Sequence, residues 1–297
     1  MPKRERWGPK HVDDRDWKQY NEHLIKRGEF YINPVFLETW QSEVDKLNNG
    51  KVGQPYQYPE SLIEFLAILY SRSFDYRSLQ GILRGLSRKL GPFPVICFSQ
   101  IRRRILLLPI SFKRRTEDLI VAVDGSGMKV GNRGEWIRHK WKVKRGWVKV
   151  VILGDSRGNV VDVRVGNEDL DERSAGRGLI RANKKCIKKV LMDGYHDCKD
   201  TFELCEEESI ETGIKIRSNA SNKGFGRRPR EVRMYQGLGY EDWSKAKGYG
   251  FRWVGSEGIF SAVKRMLGEG VRSHRKRNMY HEAKLKFWSY QRLKSVV

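Results

Sequence analysis

The sequence predicts an α/β fold in which an all-helical N-terminal third precedes a region of alternating strands and helices. Three observations support this prediction. Residues 33–107 carry apolar side chains at helical spacing in four consecutive segments. After the basic residues 113–115 the pattern changes to short apolar runs separated by helical segments. Two of those runs, at 118–124 and 188–193, end in an aspartate that is followed by glycine.

Composition indicates the kind of partner. The chain has 297 residues, enough for one large domain or two modest ones. Its 59 Lys and Arg residues outnumber its 36 Asp and Glu residues, which gives a net charge of +23. Charge of this size favours nucleic acid, because Lys and Arg neutralise phosphates. A ribosomal or membrane-surface protein is an alternative with the same composition.

Cellular location is predicted from what the sequence lacks. No apolar run is long enough to span a membrane, and the N-terminus leads into no apolar segment of the signal-peptide type. The four cysteines form no Cys-x-x-Cys pair, so a structural zinc site is not expected. We therefore expect a cytoplasmic protein with reduced thiols.

The N-terminal third is predicted to be an arm followed by helices. Residues 1–30 are polar and are expected to form a loosely packed arm. A helix is expected to start at Asn33 and Pro34, since Asn is a good N-cap and Pro suits the first turn. Residues 59–71 are apolar on nearly all sides, which predicts a core helix. Further helices are expected from the cap Asp75 to residue 90 and, with Ser99 as cap, over residues 100–107.

The last of these helices is basic, with Arg102, Arg103 and Arg104 in succession. Short helices ending in a basic one are typical of a helix-turn-helix-like DNA-binding region, and we expect these arginines to contact DNA. The alternative is a plain helical subdomain with a solvated basic face.

The remaining two-thirds of the chain are predicted to contain a sheet. Residues 119–123 form a run of five apolar residues, typical of a strand buried on both faces, and Gly125 and Gly127 are expected to turn the chain after Asp124. The other expected elements are strands at 145–153 and 159–165, a helix at 169–183, a strand at 188–192, a helix at 199–209 and a strand at 213–217. Residues 219–233 are basic and glycine-rich, and are expected to be a loop that follows DNA or is simply solvated.

Three acidic residues are candidates for a metal site. If the strands before Asp124 and Asp193 are parallel neighbours, their carboxylates lie together, where they repel unless a divalent cation joins them. Glu257 begins a helical pattern whose apolar stripe runs from Ile259 to Leu267, with Lys264 on the same polar face as Glu257. The alternatives are an Asp-Gly turn at each strand end and an ordinary exposed charge at Glu257.

These residues resemble the DDE transposases of prokaryotic insertion sequences, most closely the insertion-sequence-five and -four group. The resemblance rests on Val-Asp124-Gly-Ser-Gly-Met-Lys, on Gly-Glu-Trp136 and Lys-Arg-Gly-Trp147, and on Met-Asp193-Gly-Tyr-His-Asp. It continues with Glu257-Gly-Ile-Phe-Ser-Ala-Val-Lys264-Arg and covers residues 117–270. Upstream it is limited to the general plan of a helical DNA-binding region ahead of a catalytic core.

The resemblance implies a ribonuclease-H-like fold, a mixed sheet flanked by helices, with Asp124, Asp193 and Glu257 as catalytic triad and metal ligands. Two Mg²⁺ or Mn²⁺ ions per active site are implied, since carboxylate oxygens suit these metals. We hypothesise that Asp124 bridges both ions and that Asp193 and Glu257 each hold one. The chemistry requires no general base, so His139 and His196 are not needed. His196 is expected to be a surface histidine, with a supporting role near Asp193 as the alternative.

The family signature Tyr-x2-Arg-x3-Glu-x6-Lys is matched by Tyr249, Arg252, Glu257 and Lys264, except that four residues separate Arg252 from Glu257. Through this resemblance Tyr249, Arg252 and Lys264 are predicted to bind DNA, with Arg252 and Lys264 positioning its phosphates.

The expected function is that of a DNA transposase. Residues 1–112 would bind DNA, and residues 113–297 would cut the transposon ends and join them to target DNA. Double-stranded DNA is the expected partner, and a homodimer on DNA is expected because two ends must be joined in concert. The alternatives are a metal-dependent nuclease of the same fold without strand transfer, and a non-catalytic DNA-binding repressor derived from a transposase.

Overall fold

The computed structural model describes residues 16–31, 35–112, 118–131 and 146–295. The predicted cap at Asn33, the 134–136 part of the family motif and His139 lie outside these ranges.

Five helices form the N-terminal region: α1 (Trp17–Glu29), α2 (Val35–Asn48), α3 (Glu60–Ser71), α4 (Tyr76–Leu90) and α5 (Phe98–Leu107). The N-terminal arm was expected to be loosely packed, and within it α1 is a helix that buries none of its residues. The predicted cap of α4 is confirmed, because Asp75 accepts hydrogen bonds from the backbone N–H groups of Arg77 and Ser78. The predicted cap of α5 is wrong, since α5 begins at Phe98 and Cys97 precedes it.

Six strands form one mixed sheet: β1 (Leu119–Val130), β2 (Trp147–Asp155), β3 (Val160–Asn167), β4 (Ile187–Met192), β5 (Glu211–Ile214) and β6 (Gly270–Val271). The order is β3-β2-β1-β4-β5, and β6 pairs with the far end of β1. The pairs β1–β2 and β2–β3 are antiparallel, whereas β1–β4, β4–β5 and β1–β6 are parallel. This mixed sheet, with a helical region ahead of it, confirms the predicted fold class, which is that of a ribonuclease-H-like core.

The central strand differs from the prediction in one respect. β1 does not turn after Asp124 but continues to Val130, because β2 pairs with it along this whole stretch. Gly125 and Gly127 therefore serve close packing. A Cβ on Gly125 would lie 2.3 Å from a carboxylate oxygen of Glu172, and one on Gly127 would lie 2.9 Å from the ring of Trp147.

Six further helices complete the described chain: α6 (Glu172–Asn183), α7 (Lys199–Glu207), α8 (Arg227–Lys247), α9 (Phe251–Gly255), α10 (Glu257–Leu267) and α11 (Lys276–Ser295). The basic run at 219–233 was expected to be a loop, but its second half is the start of α8. There Arg228 donates to the buried carboxylate of Asp197 at 2.6 and 3.1 Å, which fixes α8 against the end of β4. The charge of Arg228 thus stabilises the fold.

The two faces of the sheet pack against different helices. One face, with Val121 and Val123 of β1, packs with α6 and α7. The other face, with Met128 and Val130, packs with α10 and α11. Because side chains alternate along a strand, Asp124 lies on the α10 face and Gly125 faces α6.

The last helix also joins the N-terminal helical core. Leu285, Trp288 and Leu293 of α11 pack with the buried side chains of α3, α4 and α5. The division into residues 1–112 and 113–297 stays a prediction. Among the described residues, no helix is both long enough and apolar enough to cross a membrane.

Candidate active site

Two of the three predicted acids are brought together by strand register. β1 and β4 are parallel neighbours, and Ala122 pairs with Leu191. Asp124 and Asp193 each follow that pair by two residues, so both carboxylates lie on the same face where β4 ends.

Asp124 lies in a partly buried position, with its side chain 18% exposed. Its Oδ1 accepts a hydrogen bond of 2.9 Å from the backbone N–H of Gly125. Burial raises the pKa of Asp124 to about 6, and the nearby carboxylates of Asp193 and Glu172 add to the rise against the opposing effect of Arg252. A cation placed here would favour the charged form.

Asp193 is held by the turn that follows β4. Its Oδ1 accepts a hydrogen bond of 3.0 Å from the backbone N–H of Tyr195, at the start of a short 3₁₀ turn. The hydroxyl of Tyr249, which is buried, donates to the carbonyl of Met192 at 3.2 Å. Tyr249 therefore fixes the main chain directly before Asp193. Burial raises the pKa of Tyr249 to about 12, so the hydroxyl keeps its proton at neutral pH.

Glu257 is the first residue of α10, with Arg252 beside it on α9. The guanidinium of Arg252 donates to Oε1 of Glu257 at 2.5 Å and lies 3.8 Å from Oδ2 of Asp124. Arg252 thus connects an acid on the sheet with an acid on the helix. Ser256 between the two helices has φ −131° and ψ −81°, so the chain bends there and Glu257 starts a new helix.

The position of α10 is set by its apolar stripe. Ile259, Phe260, Val263 and Leu267 are buried against the sheet, as the sequence pattern predicted. Two turns after Glu257, Lys264 donates a hydrogen bond of 2.8 Å from Nζ to the hydroxyl of Ser126 on β1. Lys264 therefore lies on the same face of β1 as Asp124.

Glu172 is a neighbour of the site that the sequence analysis missed. Its carboxylate occupies the space behind Gly125, on the opposite face of β1 from Asp124. It lies 3.2 Å from Nζ of Lys149 and 3.6 Å from Nε2 of His196, and these two groups keep the pKa of Glu172 below its usual value. The sequence carries no spacing signal for this contact, because it depends on how α6 crosses β1 and β2.

His196 was expected at the surface, and this prediction is wrong. His196 is 1% exposed, and neither of its ring nitrogens has a hydrogen-bond partner among the described residues. The imidazole lies against Glu172 and Gly176 of α6. The 3₁₀ turn after Asp193 therefore points its histidine into the core.

The predicted DNA-binding arginines of α5 have different environments. Arg102 and Arg103 are exposed. Arg104 is half-buried, and its guanidinium lies 5.4 Å from the ring centroid of Tyr56. A role of all three in DNA binding stays a prediction.

The carboxylates of Asp124, Asp193 and Glu257 are chemically suited to a divalent cation, since carboxylate oxygens are the ligands that Mg²⁺ and Mn²⁺ prefer. Within residues 16–31, 35–112, 118–131 and 146–295, no three His, Cys, Asp or Glu side chains are gathered closely enough to hold a metal ion. The guanidinium of Arg252 lies within ion-pair distance of both Asp124 and Glu257. The arrangement is thus one in which Asp124 and Asp193 are adjacent and Glu257 is paired with an arginine.

Comparison with solved structures gave a match to the cryo-electron-microscopy structure of a simian T-cell lymphotropic virus intasome in complex with the PP2A regulatory subunit B56 gamma. The match has 13% sequence identity and a TM-score of 0.26, and covers 73% of this chain and 72% of that one. A TM-score this low supports no conclusion about fold or function. No curated protein matches the sequence.

Family comparison gave two matches, both to models described as a transposase DDE domain. One covers residues 25–133, which include most of the helical region and the whole of β1. The other covers residues 115–291, more than half of the chain, and includes Asp124, Asp193 and Glu257. The protein therefore belongs to the DDE transposase family.

Proposed function

We propose that this protein is an active DNA transposase that binds the ends of its insertion sequence, cuts them and joins them to target DNA. The observation that carries the proposal is the pairing of Ala122 with Leu191, because it sets Asp124 and Asp193 side by side on one face of the sheet. Glu257 is linked to the same place through Arg252. Membership of the insertion-sequence-five or -four group stays a prediction.

Asp124, Asp193 and Glu257 would hold the two Mg²⁺ or Mn²⁺ ions. When bound, such ions activate the attacking oxygen and stabilise the leaving oxygen of an in-line phosphoryl displacement. The raised pKa of Asp124 supports this assignment, because the nearby charge of Arg252 does not offset the effect of burial, and a bound cation would favour the charged carboxylate.

Arg252 has two alternative partners in this proposal. Without DNA and metal it pairs with Glu257 and Asp124. A phosphate of the DNA offers the guanidinium the same bidentate geometry as a carboxylate does. Transfer of Arg252 from the acids to the DNA would leave Glu257 free to bind metal at the moment when the substrate arrives.

Lys264 and Tyr249 have separate roles. Lys264 is held over β1 by Ser126, where its ammonium can contact a phosphate next to Asp124. The Tyr249 hydroxyl already donates to the Met192 carbonyl, so its main contribution is to position Asp193. The ring of Tyr249 also lies 5.7 Å from the guanidinium carbon of Arg252, which limits where Arg252 can move.

Double-stranded DNA is the proposed substrate and partner, and two copies of the chain are expected to act on paired ends. The net charge of +23 supports the first part, because phosphate neutralisation gives salt-dependent affinity.

The test uses the purified full chain with a labelled duplex that carries the terminal sequence of its own element, a supercoiled target plasmid, and Mg²⁺ or Mn²⁺. The proposal predicts a nick at the element end followed by a joined product of higher mass. Cutting without joining would instead indicate a nuclease of the same fold. Binding of the duplex without any cutting under either metal would indicate a DNA-binding protein that has lost catalysis.

A further inference from the structure

A basic surface separate from the three acids lies at the start of α11. Four of the six residues 272–277 are Arg or Lys and one is His. All five basic residues are exposed: Arg272, His274, Arg275, Lys276 and Arg277. The run follows β6 directly, so it is attached to the end of β1 that lies beyond Asp124.

This run forms one wall of a cleft of about 380 Å³. The opposite wall comes from the N-terminal helical region, where Arg102 of α5 faces the cleft. Tyr70 and Tyr76 form part of the lining, with their rings stacked at 4.7 Å and an interplanar angle of 11°. The cleft is therefore built from both ends of the chain.

The two walls of the cleft are joined by contacts that involve neither Arg102 nor Arg275. The buried carboxylate of Glu282 accepts hydrogen bonds from the backbone N–H groups of Arg272 and Ser273, at 2.8 and 2.9 Å. The guanidinium of Arg272 lies over the ring of Tyr70 at 4.2 Å and donates to its carbonyl at 2.6 Å. The run and the helical region are thus fixed to each other before any ligand binds.

The α5 wall is fixed as well. The imidazole of His281 on α11 makes a hydrogen bond of 2.8 Å between Nε2 and the carbonyl of Ile105 on α5. Arg102 therefore has a defined position relative to the run that precedes α11.

The charge balance of the cleft favours an anion. Within the described ranges, Arg102 and Arg275 have no carboxylate partner at ion-pair distance. The acid that lines the cleft, Asp75, is occupied as the cap of α4, where Oδ1 accepts from the N–H groups of Arg77 and Ser78 at 2.8 and 2.9 Å. The carboxylate of Glu282 lies behind Arg272 and is balanced by it.

We propose that this cleft is a second DNA site, in which Arg102 and Arg275 grip a backbone phosphate of the duplex whose end lies at Asp124. The inference rests on the proposed function, since it takes DNA as the ligand. β1 rises by about 20 Å between Asp124 and Val130, which corresponds to roughly six base pairs of B-form DNA. The cleft would therefore set how the duplex is aligned on the protein and would read no bases.

The test measures the salt dependence of binding to a fluorescein-labelled 30-base-pair duplex of mixed sequence, by anisotropy of the full chain without metal. Each phosphate contact adds about 0.9 to the slope of log affinity against log salt. The double variant Arg102→Ala/Arg275→Ala is expected to lower the slope by about 1, since both arginines are proposed to contact the same phosphate. Arg102→Lys/Arg275→Lys is expected to keep most of it, because a lysine still neutralises a phosphate.

A matched control removes two charges from the other face of the sheet. Arg181→Ala/Lys185→Ala changes two exposed residues, one at the end of α6 and one in the 3₁₀ turn after it, on the side of the sheet opposite α10 and α11. It should leave the slope at the wild-type value. Circular dichroism melting of each variant separates loss of contact from loss of fold.

An unchanged slope in Arg102→Ala/Arg275→Ala, or an equal loss in the α6 control, would overturn the inference while leaving the proposed function intact. If the wild-type chain bound no DNA at all, both would fall. If it bound DNA with the predicted slopes but neither cut nor joined the element end, the proposed function would fail and the second site would stand.

Discussion

Arg252 donates a 2.5 Å hydrogen bond to Glu257 although the spacing between them is one residue longer than in the family signature. The extra residue is accommodated at Ser256, whose backbone leaves the helical region between α9 and α10. The hydroxyl of Ser256 donates back to the carbonyl of Arg252 at 2.8 Å and closes the bend. The departure in sequence therefore leaves the arginine and the acid in contact.

This contact predicts competition between Arg252 and metal. We expect Arg252→Ala to bind Mn²⁺ about five times more tightly in the absence of DNA, because removal of a partly exposed ion pair worth about 1 kcal/mol frees both acids. DNA cleavage should fall in the same variant, since a phosphate contact is lost. Isothermal titration calorimetry measures the affinity, and Arg265→Ala on the outer face of α10 is the control. Weaker Mn²⁺ binding in Arg252→Ala would show that Arg252 supports the metal site and does not compete with it.

Tyr249 allows a test of positioning against direct DNA contact. Tyr249→Phe removes the donor to the Met192 carbonyl, so we expect a loss of about 1 kcal/mol in the free energy of unfolding. Cleavage should fall several-fold while affinity for the duplex is unchanged. Urea unfolding and single-turnover cleavage are compared with Tyr240→Phe, an exposed tyrosine on α8. A fall in DNA affinity with unchanged stability would assign Tyr249 to the DNA instead.

The packing behind the site predicts a steric coupling. Gly125→Ala should cost about 1 to 3 kcal/mol of unfolding free energy, because the new methyl group would overlap the Glu172 carboxylate that Lys149 and His196 hold in place. The double variant Gly125→Ala/Glu172→Ala should lose less than the sum of the two single changes.

Gly85→Ala in α4 is the matched control, since a Cβ there meets no atom within 4 Å and a helical Gly→Ala change should stabilise by about 0.5 to 1 kcal/mol. Additive losses in the double variant would contradict the overlap at Gly125.

Lys286 predicts a pH dependence. It is buried, and Nζ donates to the carbonyls of Leu267 and Gly268 at the end of α10. Burial lowers its pKa from 10.5 to about 8. Between these two values the unfolded chain binds a proton that the folded chain has released, so the free energy of unfolding rises with pH in this window. Below the window Lys286 is protonated in both states and adds no pH dependence to the free energy of unfolding.

The measurement compares urea unfolding at pH 7.5 and pH 10 for wild type and Lys286→Met. The unfolding free energy of the wild type should increase relative to that of this variant as the pH rises. The titration of tyrosines contributes equally to both chains and therefore cancels in the difference. Lys284→Met, a partly exposed neighbour on α11, should track the wild type. A wild-type curve parallel to that of Lys286→Met would mean that the Lys286 ammonium has no altered pKa in the folded chain.

Local patterns predicted much of the fold. The apolar run before Asp124 predicted a central buried strand. The repeated Asp-Gly at Asp193 predicted that the two acids lie together if their strands are parallel neighbours, and the structure shows that they are. The apolar stripe of α10 could be predicted because one face of that helix is buried along its length. Each of these features depends on residues close together in sequence.

Contacts between distant segments could not be predicted. The Asp-Gly pair after β1 is typical of a turn, and only the pairing with β2 shows that the strand continues. Arg228 lies in a glycine-rich basic run, and its helical structure depends on a buried partner, Asp197, far upstream. The position of Glu172 behind Gly125 likewise follows from the path of α6, which no spacing in the sequence encodes.

The catalytic triad is tested most directly by comparing the wild type with Asp124→Asn, Asp193→Asn and Glu257→Gln in single-turnover cleavage and joining of the element's own end with Mg²⁺. These changes are nearly isosteric, so each variant should fold and bind the duplex with wild-type affinity. We expect cutting and joining to fall by a factor of about 1,000 or more in all three, in proportion to the loss of a catalytic group worth about 4 kcal/mol. A variant that binds the duplex and still cuts at the wild-type rate would show that its acid is not part of the catalytic site, and would contradict the triad.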